Sequence, residues 1–139
     1  MTLINEIRLI NLPRISDPRG NLSFIEKDNH IPFKIKRAYW IYDVPGGETR
    51  GGHAFKQQKE FIIALSGSFD VFVDDGINNK IISLNRSYYG LYIPAGLWRQ
   101  MLNFSTNSVA LVASSTNYYE SDYLRDYDNF IKFTKNIED

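Results

Sequence analysis

His53 is the residue of this sequence best suited to acid–base chemistry, because the imidazole titrates near neutral pH. It follows a glycine-rich turn and precedes Glu60 by seven positions in a region rich in β-formers. The other histidine, His30, stands in a loop-like Asn-His-Ile-Pro segment, and we expect a structural role for it. The chain has no cysteine, which excludes disulfides, thiolate catalysis and cysteine-based metal sites.

The segment from Gly47 to Gly67 fits the first signature of the cupin superfamily, G-x5-H-x-H-x(3,4)-E-x6-G, at every position but one. Residues 94–103 fit the second signature, P-x-G-x2-H-x3-N, again with one change. Two matches about 30 residues apart predict the cupin fold. They indicate little about function, because this fold hosts many activities.

The two changes fall on metal-ligand positions. The signatures supply ligands at four places, which here hold His53, Phe55, Glu60 and Arg99. Phenylalanine has no ligand atom, and arginine stays protonated and repels a cation. One histidine and one glutamate are fewer than the three protein ligands usual for a catalytic metal, so we predict neither a metal nor another cofactor.

A cation inside a barrel suggests an anionic ligand. We therefore predict a phosphate-bearing ligand, held by basic residues on separate elements that would have to converge. The candidates are Arg19, Arg37, Arg50, Lys56 and Arg99. The alternative is that most of them are ordinary surface charges.

Three further side chains have candidate roles. His53 would act as a general base, or else be a core histidine with a satisfied hydrogen bond. Tyr39 would orient a group or relay a proton, although most strand tyrosines are core or rim residues. Glu60 would bind substrate by holding a neighbouring polar group, or form a structural salt bridge.

Short alternating apolar segments separated by turns predict the elements that position these residues. Strands are expected at 22–26, 35–43, 60–65, 68–73, 80–84, 90–94, 98–104 and 109–114. Apolar residues spaced by three, four and seven predict an amphipathic helix over 121–135. Together, these strands and this helix predict an all-β, cupin-type jelly-roll barrel with a short C-terminal helix. We expect it to form a single domain over residues 1–139.

Charge and hydropathy narrow the possible partners. Sixteen basic residues balance 16 acidic ones, which argues against a nucleic-acid partner. No apolar run is long enough to span a membrane, and charges interrupt the N-terminus too early for a signal peptide. We expect no membrane partner and a cytoplasmic location.

The sequence also resembles the dTDP-4-oxo-6-deoxyglucose 3,4-ketoisomerases, which are small metal-free cupins. The matching stretches span nearly the whole chain in the same order: DPRGNL (17–22), IPFKIKRAYW (31–40), TRGGHA (49–54), SGS (66–68), DDG (74–76), GLYIP (90–94), LWR (97–99) and YYESDYLRDYDNF (118–130). The last stretch is the most distinctive, because cupins in general do not have it.

The resemblance implies a dTDP-linked 4-oxo-6-deoxyhexose as substrate and a homodimer, often with exchanged N-terminal strands. It implies His53 as the catalytic histidine with Tyr39 and Arg50 beside it, and places Arg19 and Arg99 at the sugar end of the pocket. The product would pass to an aminotransferase that makes 3-amino-3,6-dideoxy sugars for surface polysaccharide. Many members carry a second histidine where this chain has Phe55.

With one pocket histidine, we expect the base that removes the C3 proton to return it to C4 on the same face, which gives a galacto-configured product. A non-catalytic nucleotide-sugar-binding cupin and a 3,5-epimerase of the same fold are the alternatives. A metal-dependent dioxygenase is the least favoured, because of the ligand count.

Overall fold

The computed structural model describes residues 1–26 and 29–138. Two five-stranded antiparallel sheets face each other, and a separate hairpin projects near the N-terminus. The strands are β1 (Arg8–Asn11), β2 (Arg14–Asp17), β3 (Gly20–Ser23), β4 (Arg37–Ile41), β5 (Arg50–Phe55), β6 (Glu60–Ser66), β7 (Phe69–Asp74), β8 (Asn79–Leu84), β9 (Tyr89–Ile93), β10 (Trp98–Leu102), β11 (Val109–Ser114) and β12 (Tyr123–Leu124). One helix, α1 (Tyr127–Glu138), follows.

The strand order is β1-β9-β6-β11-β4 in one sheet and β12-β5-β10-β7-β8 in the other, while β2 and β3 form the hairpin. The predicted all-β jelly roll with a C-terminal helix is therefore confirmed. No helix among the described residues is long and apolar enough to cross a membrane.

Alternating side chains fill the space between the sheets. Phe69, Val71 and Val73 on β7 are almost completely buried, whereas Asp70 and Phe72 between them are less so, as expected where one strand face packs on the core. Ile62 and Val112 complete this layer from the facing sheet. Two smaller apolar clusters lie around Phe61 and Ile63 and around Trp98 and Phe130.

The predicted strands from residue 35 onward are all present, with ends displaced by a few residues. The strand expected at 22–26 is displaced towards the N-terminus, since it runs over Gly20–Ser23 and residues 24–26 are in no strand. Two short strands near the N-terminus, β1 and β2, were not predicted, since their outward side chains leave no clear alternation. The strand that carries His53 was expected only from its motif.

The predicted helix over 121–135 is wrong in its first part. Residues Glu120–Asp122 form a short 3-10 turn, Tyr123 and Leu124 pair with β5, and the helix begins at Tyr127. Tyr123 and Leu124 have helical spacing relative to the apolar residues of α1, because β12 and α1 both bury apolar side chains against β5 and β10.

Asp75 and Gly76 begin the connection between β7 and β8. The Asp75 carboxylate accepts hydrogen bonds from the backbone N–H groups of Ile77 and Asn78 at 2.8 and 2.7 Å. It also accepts one from Ile4 at 2.8 Å, which attaches the N-terminal segment to this end of the barrel.

Candidate active site

A cavity of about 540 Å³ opens into the barrel between the two sheets. It is lined from β4, β5 and β10 and from the segment that contains β12. Five of the residues predicted for the site lie on its wall: Arg37, Tyr39, Arg50, His53 and Arg99. We call this cavity the pocket.

Strand pairing brings these residues together. Arg99 lies directly opposite His53 in the β5–β10 ladder, so the two cupin signatures meet there. On the facing sheet, Ser114 lies opposite both Arg37 and Glu60. Arg37 and Tyr39 are two positions apart and therefore share one strand face.

His53 is 8% exposed, and its Nε2 has no hydrogen-bond partner within the described chain. Its ring packs against Phe55 and Tyr123, with centroids 4.8 and 5.0 Å away. Burial, and then the charges of Arg99 and Arg125, lower the pKa of His53 to about 2. The imidazole is therefore neutral at physiological pH, and the ring lines the pocket while its Nε2 is buried.

Arg99, on the pocket wall, forms an ion pair with Glu60, which does not itself line the pocket, and each of the two residues is 1% exposed. Arg99 Nε donates to Glu60 Oε1 at 2.9 Å, and Nη2 donates to Glu60 Oε2 at 3.1 Å. Although burial opposes the charged form, Glu60 raises the pKa of Arg99. Glu60 thus forms the salt bridge considered in the sequence analysis and also holds neighbouring polar groups.

Tyr39 belongs to the same network. Its hydroxyl donates to Glu60 Oε2 at 2.8 Å and accepts from Arg99 Nη2 at 2.8 Å. Burial, together with the charge of Glu60, raises the pKa of Tyr39 above its ordinary value. Tyr39 is therefore a neutral phenol with a directed proton.

Gly51 allows Arg99 to lie against β5. Its φ is +73°, and a Cβ built there would lie 2.1 Å from Arg99 Nη1. That nitrogen instead donates to the Gly51 carbonyl at 3.0 Å. A side chain at position 51 is excluded both by the backbone conformation and by the guanidinium.

Arginines surround the opening of the pocket. Arg37 lies between the rings of Tyr39 and Tyr118, at 5.4 and 5.5 Å. Arg50 is exposed, and Arg125 lies 4.1 Å over the Tyr123 ring. We call Arg37, Arg50 and Arg125 the rim arginines.

Glu120 neutralises one of the rim arginines. It accepts two hydrogen bonds from Arg125, at 2.8 and 3.0 Å, and one from the Tyr118 hydroxyl. The hydrogen bonding from Arg125, followed by that from Tyr118, lowers the pKa of Glu120 to about 2. Arg37 and Arg50 form no salt bridge within the described residues.

Two predicted ligand-binding residues lie outside the pocket. Arg19 is at the tip of the β2–β3 hairpin, where its side chain is 90% exposed and pairs with Asp17 at 2.9 Å. Lys56 is exposed on the loop after β5. His30 accepts a hydrogen bond from the Glu26 backbone at 2.9 Å, in agreement with the structural role expected for it.

The four positions that carry metal ligands in the cupin signatures do not form a metal site here. Phe55 is buried beside His53, and the Arg99 guanidinium occupies the space next to Glu60. Across residues 1–26 and 29–138, no three His, Asp or Glu side chains lie close enough to hold a metal ion.

Among the residues that the sequence did not identify are Tyr123 and Arg125, which line the pocket, and Gln58, which contacts Arg37 and Glu60. Tyr123 and Arg125 lie in the distinctive stretch 118–130, so its unusual composition was the available signal. Gln58 had no signal, because its importance depends on which side chains the fold brings around it.

The facing sheets and the two signature segments on the pocket wall define a protein of the cupin class. Residues 5–135 match the family described as FdtA: WxcM-like, C-terminal. The chain therefore belongs to the FdtA family.

Individual relatives and solved structures agree with this family assignment. The chain is 42% identical over 132 residues, 95% of each chain, to a TDP-4-oxo-6-deoxy-alpha-D-glucose-3,4-oxoisomerase of Aneurinibacillus thermoaerophilus. It is similar to the structure of a sugar 3,4-ketoisomerase from Thermoanaerobacterium thermosaccharolyticum in complex with TDP, with TM-score 0.93, 38% identity and coverage of 97% of this chain and 98% of that one. A 3,4-ketoisomerase from Helicobacter canadensis is similar at TM-score 0.91 and 40% identity, covering 94% of this chain and 98% of that one.

Proposed function

We propose that this chain is a TDP-sugar 3,4-ketoisomerase, which moves the ketone of a TDP-linked 4-oxo-6-deoxyhexose from C4 to C3. The observation that carries the proposal is the position of His53, a buried histidine on the wall of a pocket that is also lined by Arg37, Arg50 and Arg99. The relative from A. thermoaerophilus is named for this reaction. The TDP in a similar structure supports the nucleotide class.

In the proposed reaction, the His53 imidazole accepts the proton from C3, which the adjacent C4 carbonyl acidifies. The C–H electron pair forms a C3=C4 double bond, and the C4 oxygen becomes the negative end of an enediolate. The proton of the C3 hydroxyl then moves to the C4 oxygen, which leaves the negative charge on the C3 oxygen. Delivery of the proton held by His53 to carbon C4 completes the shift, so that C3 becomes the ketone and C4 carries the hydroxyl. The sugar is isomerised without net oxidation, so no redox cofactor is required.

Arg99 is suited to stabilise the enediolate. Its Nε and Nη2 N–H groups are taken up by Glu60 and Tyr39, and Nη1 donates to Gly51. The second N–H of Nη1 has no bond within the described residues and remains for a ligand oxygen. A fixed cation beside a developing oxyanion lowers the barrier, because the protein need not reorganise when the charge forms.

We assign Arg50 and Arg37 to the diphosphate, because they have no carboxylate partner within the described residues and border the opening. Glu60 acts on substrate only through Arg99 and Tyr39. Lys56 stays a prediction as a binding residue, since it lies outside this pocket.

We infer that the chain forms a homodimer. Trp40 and Tyr42, at and just beyond the end of β4, are each 60% exposed, and Leu65 of β6 is 48% exposed. Ile15 and Leu22 of the hairpin are 57% and 55% exposed. A second copy would cover these apolar surfaces, and an exchanged hairpin would bring its own Arg19 towards the neighbouring pocket.

The product configuration follows from the number of bases. In the gluco ring, the hydrogens at C3 and C4 lie on opposite faces. If His53 both removes the C3 proton and returns it to C4, C4 is inverted and the product is galacto-configured. This configuration, the transfer of product to an aminotransferase for 3-amino-3,6-dideoxy sugars, and the cytoplasmic location stay predictions.

The test is incubation with TDP-4-oxo-6-deoxyglucose in heavy water, followed by NMR. We expect the ketone at C3 and an axial C4 hydroxyl, with deuterium at C4 to the extent that the proton on His53 exchanges with heavy water before it is returned. Binding without formation of the 3-ketone and without deuterium uptake would instead support a non-catalytic nucleotide-sugar protein, and deuterium at C5 would support a 3,5-epimerase. An equatorial C4 hydroxyl would contradict the galacto assignment alone.

A further inference from the structure

Gln58 is buried behind the pocket, on the loop between β5 and β6. It is 2% exposed. Its backbone N–H and that of Gln57 both donate to the Asp122 carboxylate, at 3.1 and 2.8 Å. These bonds fix the loop and therefore the direction in which the Gln58 side chain leaves it.

The Gln58 amide uses its whole hydrogen-bonding capacity. Its Nε2 donates to Glu60 Oε2 at 3.1 Å and to Ser114 Oγ at 3.2 Å. Its Oε1 accepts from Arg37 Nη2 at 3.0 Å and from Thr116 Oγ1 at 2.7 Å. An amide has two donors and two acceptor sites, and here all four are occupied.

The partners determine the orientation of this amide. A flipped amide would place its N–H groups against the Arg37 guanidinium and its oxygen against the Glu60 carboxylate, and both contacts are unfavourable. Gln58 is thus a side chain that contacts a rim arginine at one end and the central ion pair at the other. It lies behind both groups and does not line the pocket.

We propose that Gln58 is a positioning residue of the reaction, which sets Arg37 for the nucleotide and Glu60, with its partners Arg99 and Tyr39, for the sugar. The proposal rests on the isomerase function above. Its amide oxygen keeps Arg37 between two tyrosine rings, while its amide nitrogen completes the contacts of the carboxylate that orients Arg99 and Tyr39.

Gln58→Glu separates the two ends of the amide. The introduced carboxyl still accepts from Arg37, but it faces the Glu60 carboxylate where a donor stood. At low pH one proton is shared by the two carboxyls and replaces the lost N–H. As the pH rises that proton is lost, and the two like charges repel.

Other charged and titratable groups around this position contribute to the titration. Arg37 comes from β4, Arg99 from β10 and Asp122 from the 3-10 turn, while Tyr39 completes the set across Glu60. The positive charges of the arginines lower the pH at which the shared proton is lost, and the negative charge of Asp122 raises that pH. The titration itself is still expected. The matched control is Gln57→Glu, which adds the same charge at the exposed neighbouring residue.

The experiment measures kcat between pH 5.5 and 9 and the Kd for TDP. We expect Gln58→Glu to approach the wild-type kcat at low pH and to lose at least tenfold as the pH rises, with TDP affinity changed less than threefold. Gln57→Glu should follow the wild type throughout. A Gln58→Glu profile identical to that of Gln57→Glu would overturn the proposal.

Gln58→Met gives a second, uncharged test should the charged variant fail to fold. It releases both ends, so kcat should fall about tenfold at every pH and the Kd for TDP should rise about tenfold. Wild-type kcat and Kd in folded Gln58→Met would also overturn the proposal. If the wild type itself proves inactive, the isomerase function fails, and TDP binding by Gln58→Met still tests the contact with Arg37.

Discussion

Arg99, deep in the pocket, and Arg50, at its opening, differ in burial and in the partners of their guanidinium groups. Arg99 is 1% exposed and has its charge matched by Glu60, with further bonds to Tyr39 and Gly51. Arg50 is exposed and has no salt bridge within the described residues. The centre is thus nearly neutral and fixed, whereas the rim retains positive charge.

This difference assigns separate tasks to the two regions. A buried ion pair with further hydrogen bonds holds its groups in one geometry, as acid–base chemistry on a sugar requires. Arginines without carboxylate partners attract a diphosphate and pair with its oxygens. Substitutions at the centre should therefore affect stability and kcat, and those at the rim nucleotide affinity.

The largest stability effect is expected from Glu60→Gln, since it leaves the buried Arg99 charge uncompensated. Breaking a buried pair in this way costs about 3–5 kcal/mol of unfolding free energy. The control is Glu120→Gln, which breaks the exposed pair with Arg125 and should hardly move the urea midpoint. Equal losses in the two variants would remove the distinction between centre and rim.

Gly51→Ala should cost about 1–3 kcal/mol of unfolding free energy and at least tenfold in kcat, because the new Cβ requires both a positive φ and displacement of Arg99. Gly52→Ala is its matched control. A Cβ there lies no closer than 3.4 Å to the side chains of Gln100 and Trp98. Urea unfolding and steady-state kinetics compare the two variants. An unaffected Gly51→Ala would show that Arg99 can move freely.

At the rim, Arg50→Gln should raise the Kd for TDP about tenfold, or about 1.4 kcal/mol, with kcat little changed. The loss should shrink as salt is added, because the lost interaction is between charges in water. Lys80→Gln on β8 removes an exposed charge far from the pocket and should bind TDP normally. Titration calorimetry at two salt concentrations measures both, and a fall in kcat at constant Kd would assign Arg50 to the chemistry instead.

Near neutral pH, the smallest expected effect is the one on the pH dependence of stability. The folded-state pKa of His53 is lowered to about 2, so the unfolded chain binds a proton more readily below about pH 6.5. Its contribution to unfolding free energy therefore declines as the pH falls, by less than about 1 kcal/mol between pH 7 and 6 and at most about 1.4 kcal/mol per unit below. His53→Asn should lack this part of the pH dependence, and identical pH slopes would contradict the burial of a neutral imidazole.

The sequence predicted the centre better than its surroundings. The signature spacing identified His53, Glu60 and Arg99, because strand alternation makes such positions converge inside a barrel. The sequence alone left the salt bridge of Glu60 as one of two alternatives, since separation along the chain does not show whether an arginine binds a ligand or a glutamate. Gln58 could not be found, because its four partners come from β4, β6, β11 and the segment beyond it.

In the C-terminal segment, a clear sequence pattern predicted the wrong element for its first residues. Tyr123 and Tyr127 have helical spacing, yet Tyr123 lies in a strand beside His53 and only Tyr127 lies in the helix. Periodicity cannot distinguish these cases when a strand and a helix bury neighbouring faces against one sheet. Arg125 follows that strand and reaches the rim for this reason.

The central claim is that His53 removes the C3 proton while Arg37 and Arg50 hold the nucleotide. The most direct measurement is the rate of deuterium uptake into TDP-4-oxo-6-deoxyglucose by His53→Asn, alongside its Kd for TDP, with His30→Asn as the matched control. We predict uptake slowed by about 10²–10⁴ in His53→Asn, with Kd within threefold of wild type, and wild-type behaviour in His30→Asn. Wild-type uptake by His53→Asn with intact TDP binding would contradict the account.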